Sequence, residues 1–305
     1  MKELVIISGK GGTGKTSMAA AFATLASRGA AQRRIPAATG TGAVFADCDV
    51  DAADLHLILS PEIKKRNAFI SGHEAVIDAE KCTACGKCAE LCRFDAVRRG
   101  DDGKYAVSAC EGCGVCVRFC PAEAISFPDR RCGAWYVSDT RFGPLIHAQL
   151  DAEAENSGKL VTLVRREARA KAEEVGAAYI IVDGCPGIGC PVIASITGAD
   201  AAVAVVEPSL SGKHDLERVI ELTKHFKVPL SVVINKFDIN VALALDIKKT
   251  CERAGVSVVG SVSYDTEITG AQLQWKSIIE YNEHSAVAEQ ITAIWNHLSE
   301  ELWKR

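Results

Sequence analysis

The sequence predicts an α/β protein: a mainly parallel sheet covered by helices on both faces, interrupted by a small cysteine-rich α+β insert. Three observations carry this expectation. Short, wholly apolar strands such as Leu4–Ile7, Tyr179–Val182 and Ala201–Val206 recur with helical stretches between them. Strands of that kind are buried on both faces and joined by right-handed crossovers. A glycine-rich turn, Gly9–Thr16, follows the first strand and opens a helix, and two copies of C-x2-C-x2-C-x3-C lie between residues 82 and 120.

In chain order, Leu4–Ile7 is a strand and Lys15–Arg28 a helix. Gly29–Gly42, with Arg33, Arg34 and Pro36, has no periodicity and reads as a loop. Ala43–Asp47 is a second apolar strand, and Ala52–Leu59 a short helix for which Asp51 is the expected N-cap. From Gly72 to Gly133 the character changes to dense cysteines without a long helix, a module too small to rest on an apolar core alone. Its halves repeat, each cysteine run being followed by a short extended piece, Ala96–Val97 and Ala124–Phe127. Helices at Leu160–Val175, Lys213–Phe226, Val241–Ala254 and Ser285–Lys304 then alternate with strands ending at Asp183, Val206, Ile234 and Val262. The expected organisation is therefore 1–71 and 134–305 as one α/β domain, with 72–133 inserted into it.

Composition narrows the function classes. With 305 residues, 48% hydrophobic, 24% charged and a net charge of −4, the chain is ordinary soluble globular material. No basic field argues for nucleic acid or an anionic membrane, and no apolar run is long enough to span a bilayer. Met1-Lys2-Glu3 enters the first strand without a signal-peptide pattern. Thirteen cysteines in such a chain point to metal ligands in a reducing cytoplasm rather than to disulfides.

Gly9-Lys10-Gly11-Gly12-Thr13-Gly14-Lys15-Thr16 satisfies G-x4-G-K-[ST] in the strand–turn–helix context the motif needs. Backbone N–H groups of Gly11, Gly12, Thr13, Gly14, Lys15, Thr16 and Ser17 would cradle the phosphates of ATP or ADP. Lys15 would contact the β- and γ-phosphates, and the Thr16 hydroxyl would bind Mg²⁺. The cysteine spacing lets one tight loop aim three thiolates at one face of an iron–sulfur cube while the fourth reaches a neighbouring cube. Zinc is the chemical alternative for four thiolates, but the doubled C-x2-C-x2-C is iron–sulfur spacing.

Residues 82–120 resemble the bacterial-type ferredoxins with two [4Fe–4S] clusters. That resemblance implies one cluster on Cys82, Cys85, Cys88 and Cys120 and another on Cys110, Cys113, Cys116 and Cys92. Arg93 departs from the pattern, standing where a proline usually follows the fourth cysteine. The extra Lys10 of K-G-G-T-G-K-T resembles the deviant Walker A loop of the MinD, Mrp and nitrogenase iron-protein superfamily of P-loop ATPases, a likeness that extends over nearly the whole chain. It implies a homodimer in which Lys10 reaches the partner's phosphates. Asp47 and Asp49, in Ala46-Asp47-Cys48-Asp49-Val50-Asp51, match its D-x-D segment, which implies roles in the magnesium shell and in water activation respectively, or the reverse. Asp183 before Gly184-Cys185-Pro186-Gly187 resembles the segment that holds Mg²⁺ through water. In Asn235-Lys236-Phe237-Asp238 the resemblance implies adenine recognition by Asn235; taken alone, those four residues fit a turn after a strand as well.

The group resembled most closely is that of ATPases with an inserted ferredoxin domain, through segments that include Asn156–Val161 and Pro186–Pro191. It implies ATP hydrolysis by a nucleotide-switched homodimer, coupled to electron transfer to an unknown redox partner. Two further readings stay open: an Mrp-type carrier delivering a cluster to an apo-protein, and a MinD-like positioning ATPase whose clusters are structural or redox-sensing. Cys185 and Cys190 are either a third metal or cluster site or small residues at a tight turn. The final helix, with Val287, Ile291, Ile294, Leu298 and Leu302 on one face and an acidic polar face, is expected to pack on the sheet rather than on a membrane.

Overall fold

The computed structural model describes residues 1–31, 42–151 and 157–304. The loop read at Gly29–Gly42 thus lies outside the described residues over 32–41, as do Asn156 and Arg305. The chain begins with β1 (Lys2–Ser8), α1 (Lys15–Ala31), β2 (Ala43–Asp47) and α2 (Leu55–Leu59). A long strand, β3 (Glu62–His73), leads into β4 (Val76–Ile77), α3 (Lys87–Leu91), β5 (Val97–Arg99), β6 (Tyr105–Val107), α4 (Val115–Arg118) and β7 (Ile125–Ser126). Two further strands, β8 (Asp129–Thr140) and β9 (Gly143–Leu150), lead out. There follow α5 (Ser157–Val175), β10 (Tyr179–Pro186), α6 (Cys190–Ile196), β11 (Ala201–Val206), α7 (Leu210–His225), β12 (Leu230–Asn235), α8 (Val241–Ala254) and β13 (Ser257–Val262). The chain closes with α9 (Glu267–Leu273), α10 (Ile278–Tyr281) and α11 (Ala286–Lys304).

The chain divides into two compact units, one of Met1–Asn67, Trp135–Gln149 and the chain from Ser157, the other of Ala68–Ala134 and the chain from Leu150. A nine-stranded sheet runs in the order β13-β12-β11-β1-β10-β2-β9-β8-β3. From β13 to β9 every recorded neighbour pair is parallel. Two strands sit on either side of β1 that come from opposite directions of the winding, so their carboxyl ends open a crevice beside Gly9–Thr16, where ligands of such sheets bind.

Alternation along β1 divides the core. Leu4 and Ile6 join Phe22 of α1, Ile278 of α10 and Trp295 of α11 in one apolar cluster, while Val5 and Ile7 bury on the opposite face. Each such fully buried side chain contributes about 1.5–3 kcal/mol relative to exposure. Gly260 lets α11 approach β13, since a Cβ there would collide with Ile294. Val287, Ile291, Ile294, Leu298 and Leu302 are all buried, so the apolar face of the last helix is used within the fold. Local signals set several boundaries: Ser209 accepts from Gly212 N–H ahead of α7, Asn240 from Leu243 N–H ahead of α8, and Gly255 closes α8 in the left-handed region. Among the described residues no helix is long and apolar enough to cross a membrane.

Two expectations are corrected. Asp51 does not cap a helix beginning at Ala52. The helix starts at Leu55, with Asp54 at the cap position, and Leu55 N–H donates to Asp47 Oδ2 at 3.2 Å. The buried carboxylate thus displaces the start of the helix by taking its N–H donor. Three sheet strands were also not foreseen, β3, β8 and β9. Their charged and polar residues break the apolar runs that mark the inner strands.

Around β9 an aromatic stack has formed. His147 lies on the Tyr136 ring at 4.9 Å and on His56 of α2 at 5.8 Å, with Nε2 at 2.9 Å from Ser138 Oγ. Burial, with His56 adding to it, pushes the His147 imidazole down to about 4. A folded value below the unfolded 6.5 means the unfolded chain takes up a proton that the fold refuses. Stability contributed by neutral His147 is present above pH 6.5 and is lost as pH falls toward 4, by at most about 3 kcal/mol. Denaturant midpoints measured against pH should fall less steeply between those limits in His147→Gln than in the wild type; parallel slopes would show that His147 does not carry this dependence.

Candidate functional site

The crevice beside β1 is a cavity of about 570 Å³ lined by Gly11–Ser17, Asp49, Asp51, Asp54, Asn235, Tyr264 and Gln272. Gly12 and Gly14 have φ of 78° and 93°, which turns the backbone of the loop as a phosphate cradle needs. Asn235 lies beneath that loop. Its Nδ2 donates to Thr13 O at 2.7 Å, its Oδ1 accepts from Lys236 N–H at 3.0 Å, and a Cβ on Gly14 would collide with it. Both polar ends of Asn235 are therefore engaged by protein, and the geometry makes it a brace for the loop before any contact with a base. Asp238 is engaged in the same way, accepting from Tyr264 N–H at 2.7 Å.

Lys15 opens α1 and points back over the loop. Its Nζ donates to Asp183 Oδ1 at 2.8 Å and to Asp49 Oδ2 at 3.3 Å. Burial alone would lower its pKa, but Asp183 and Asp49 outweigh burial and raise it, so the ammonium is fixed. Parallel register explains the concentration of acid: Asp47, the last residue of β2, and Asp183, within β10, are Cα partners. Burial, then Asp183, pushes the Asp47 carboxyl well up, against the pull of Lys15. Burial raises Asp49 too, partly offset by Lys15.

The two aspartates occupy different places. Asp49 lines the cavity. Asp47 is fully buried behind it and spends its carboxylate on the N–H groups of Asp49 and Leu55, both at 3.2 Å. Asp183 is also fully buried, and its Oδ2 is without a hydrogen-bond partner, as is Thr13 Oγ1. An orphaned carboxylate oxygen beside Lys15, with Thr16 on the cavity wall, is donor chemistry that fits a hydrated cation, so the residues present suit Mg²⁺.

Lys10 is held away from the cavity. Its Nζ lies 2.6 Å from Glu207 Oε1 and donates to Ser209 and Ser211 hydroxyls at 3.2 and 3.3 Å. Glu207 also accepts from Lys236 at 3.2 Å. Burial would raise the Glu207 carboxyl, but hydrogen bonds from Lys10 and Lys236 lower it. Sequence reasoning missed Glu207, although a carboxylate directly after the apolar strand Ala201–Val206 stands at the strand end where such sheets bind ligands. Cys185 and Cys190 separate: Cys190 is exposed, whereas Cys185 is buried and donates its thiol to Cys48 O at 2.7 Å. Burial pushes the Cys185 thiol up to about 12. Among the described residues no three His, Cys, Asp or Glu side chains are grouped to hold a single metal ion.

In the second unit the two cysteine loops repeat in conformation. Ala84 and Gly86 have φ of 53° and 79°, and the equivalent Gly112 and Gly114 have 65° and 71°; Asp95 and Glu123, each three residues past the fourth cysteine, have 52° and 49°. Left-handed residues alternating with right-handed ones turn successive N–H groups inward, the concavity found at many iron–sulfur sites. Cys82, Cys85, Cys88 and Cys120 line one small cavity with Tyr105. Gly112 N–H and Ala124 N–H lie 3.4 and 3.3 Å from the sulfurs of Cys110 and Cys120, the kind of N–H···S contact that tunes a cluster. Cys110 and Cys113 are the near neighbours of Cys116 in the other loop. Four thiolates around one hollow, with inward N–H groups, fit a cubane cluster.

The family model described as the CobQ/CobB/MinD/ParA nucleotide binding domain matches residues 4–278. An uncharacterised protein of Methanocaldococcus jannaschii is 33% identical over 298 residues, covering 98% of this chain and 96% of that protein. An uncharacterised polyferredoxin-like protein of the same organism is 36% identical over 53 residues, 17% of this chain and 31% of that protein. Among solved structures, the septum site-determining protein MinD complexed with Mg-ADP from Pyrococcus horikoshii superposes with a TM-score of 0.61 at 14% identity, covering 98% and 96% of the two chains.

The loop brace gives a direct test. Asn235→Ala removes the donor to Thr13 O and the support under Gly14. A lost buried hydrogen bond of about 1–2 kcal/mol should weaken ATP binding roughly tenfold, with the folded state retained, as read by titration with a fluorescent ATP analogue. Unchanged affinity would mean that the phosphate loop holds its shape without Asn235.

Proposed function

The chain belongs to the CobQ/CobB/MinD/ParA nucleotide-binding family, and from that membership we propose a Mg²⁺-dependent, dimerising ATPase of the cytoplasm whose nucleotide state is coupled to two [4Fe–4S] clusters. The observation that carries the cluster half is the conformational repeat of the two cysteine loops, together with the one hollow lined by Cys82, Cys85, Cys88 and Cys120. The polyferredoxin-like match supports it. The nucleotide half rests on a cavity lined by a glycine loop and a buried lysine, with the orphaned Asp183 carboxylate oxygen behind that lysine.

The residues divide the work as follows. N–H groups of Gly11–Ser17 hold the phosphates, and Lys15 exchanges Asp183 for the β- and γ-phosphates as they enter. Thr16 and Asp183 would hold Mg²⁺, which would supply charge neutralisation for those phosphates. Asp49, on the cavity wall, orients the attacking water. Asp47, behind it, holds the Asp49 segment in place. Water adds to the γ-phosphorus, the bond to the β,γ-bridging oxygen breaks, and ADP and phosphate leave. Lys10, parked on Glu207, is the group free to swing toward a second copy, and ATP would draw it across. Cys82, Cys85, Cys88 and Cys120, and Cys110, Cys113, Cys116 and Cys92, would hold the clusters, which would supply a one-electron store. The output is nucleotide-gated electron transfer to a partner protein. The buried apolar face of α11 leaves that helix without a membrane-seeking side, which weighs against the positioning reading.

Anaerobic purification should yield about eight iron and eight sulfide per chain. A redox titration with ADP and with a non-hydrolysable ATP analogue should then show shifted cluster potentials. Potentials that ignore nucleotide would sink the coupling, and absence of iron would sink the cluster assignment. In Lys10→Ala, ATP should still bind while ATP-dependent dimerisation, read by light scattering, is lost.

A further inference from the structure

The helix α2 is only five residues long and could not persist alone. Three grips hold it. Asp47 Oδ2 accepts from its first N–H. Its His56 ring stacks on His147 of β9. At its end, Arg141, one of the two residues joining β8 to β9, donates from Nη2 to Ile58 O at 2.9 Å and from Nη1 to Leu59 O at 2.8 Å. The segment directly before α2 carries Asp49, Asp51, Ala52 and Asp54, which line the nucleotide cavity. Any ligand that moves this wall must carry α2 with it or strain these grips.

Arg141 also holds a second part of the wall. It forks onto Glu280 at 2.7 and 2.9 Å and donates to Trp275 O at 3.1 Å, with its guanidinium 4.5 Å above the Phe142 ring. Trp275 and Glu280 belong to the stretch after α9, whose Ile268, Thr269 and Gln272 line the same cavity, with Gln272 Nε2 donating to Ser17 Oγ at 2.9 Å. One guanidinium thus joins both parts of the wall to the turn of a hairpin, and the chain leaves the cysteine unit along the first strand of that hairpin, β8.

We propose that Arg141 is a positioning residue that transmits nucleotide occupancy from α2 and the segment after α9 to the β8–β9 hairpin. Ligand in the cavity draws α2 and the Trp275–Glu280 stretch together, and the shared guanidinium passes that displacement to the hairpin turn. The inference rests on the nucleotide-binding reading above and is independent of whether the clusters respond.

The test is hydrogen exchange by mass spectrometry on the full chain, purified anaerobically, without nucleotide and with Mg²⁺ plus a non-hydrolysable ATP analogue. In the wild type, peptides covering 50–59 and 136–149 should both exchange about fivefold more slowly with the analogue. In Arg141→Gln the response at 50–59 should persist, and that at 136–149 should vanish, with analogue affinity within about twofold of wild type. Arg141→Lys, which keeps the charge but not the planar fork, should respond in between and serves where the glutamine variant folds poorly. A hairpin response in either variant equal to the wild type, or a wild-type hairpin that ignores the analogue while 50–59 responds, overturns the inference. A hairpin that responds while cluster potentials do not leaves the inference standing and removes the coupling. A chain that binds no analogue overturns both, and the titration shows it directly.

Discussion

The first unit is organised around one buried ammonium. Lys15 sits among Asp183, Asp49 and, behind them, Asp47, because parallel pairing places Asp47 of β2 and Asp183 of β10 side by side next to the loop after β1. Carboxylates that close cannot all be charged in a low-dielectric site without a cation, and breaking such a buried set by removing one partner costs about 3–5 kcal/mol. The charge balance is therefore a stabilising contact and a constraint on ligands. Whatever takes Lys15 from Asp183 must leave a replacement positive charge, which is what a metal–phosphate ligand brings. Asn235 below the loop, Asp47 behind Asp49 and Ser8, whose hydroxyl donates to Lys10 O at 2.8 Å, all hold the backbone that keeps the ammonium in place.

The sequence made the inner sheet and the phosphate loop legible because both are local. Apolar runs such as Tyr179–Val182 have one buried solution, and a G-x4-G-K-[ST] turn carries its conformation in its glycines. The outer strands were not legible. Glu62–His73 begins with Glu-Ile-Lys-Lys-Arg-Asn and is exposed along most of its length; Lys and Arg on an edge strand guard it against further pairing while hiding it from an apolar-run reading. The protein contacts of Asp47 and Asn235 were not legible for a related reason. Motif position brings a side chain near a site, but only tertiary packing decides whether its polar atoms face the ligand or the chain. Glu207 and Arg141 belong to no motif; partners that lie far away in the chain define them.

The cysteine unit lives under a different economy of interactions. Its buried apolar residues are few and small, chiefly Phe69, Ala75, Ala96, Val97, Ala124 and Ile125, and its sheets are two pairs of two- and three-residue strands. A module of that size ordinarily needs staples to hold a single conformation. Its non-glycine left-handed residues, Ala84, Asp95, Ala109 and Glu123, each carry a conformational cost that something must offset. Multiple thiolate bonds to a shared inorganic core would do so, and this links the fit of the hollows to the stability of the unit.

The strands that enter and leave the cysteine unit are neighbours in the sheet. β3 and β8 are adjacent, and Glu74 N–H donates to Pro128 O at 3.1 Å just beyond them, so the chain between the two strands starts and finishes at neighbouring positions. The entropy of bringing its two ends together is already met by strand pairing, so a long insertion there adds little further loop-closure cost. The same geometry means that a short turn could replace the unit without opening the sheet. The stretch between β3 and β8 holds none of Lys15, Asp49 and Asp183, so a chain of this fold could gain, lose or exchange that stretch in a single genetic step while keeping its nucleotide machinery whole.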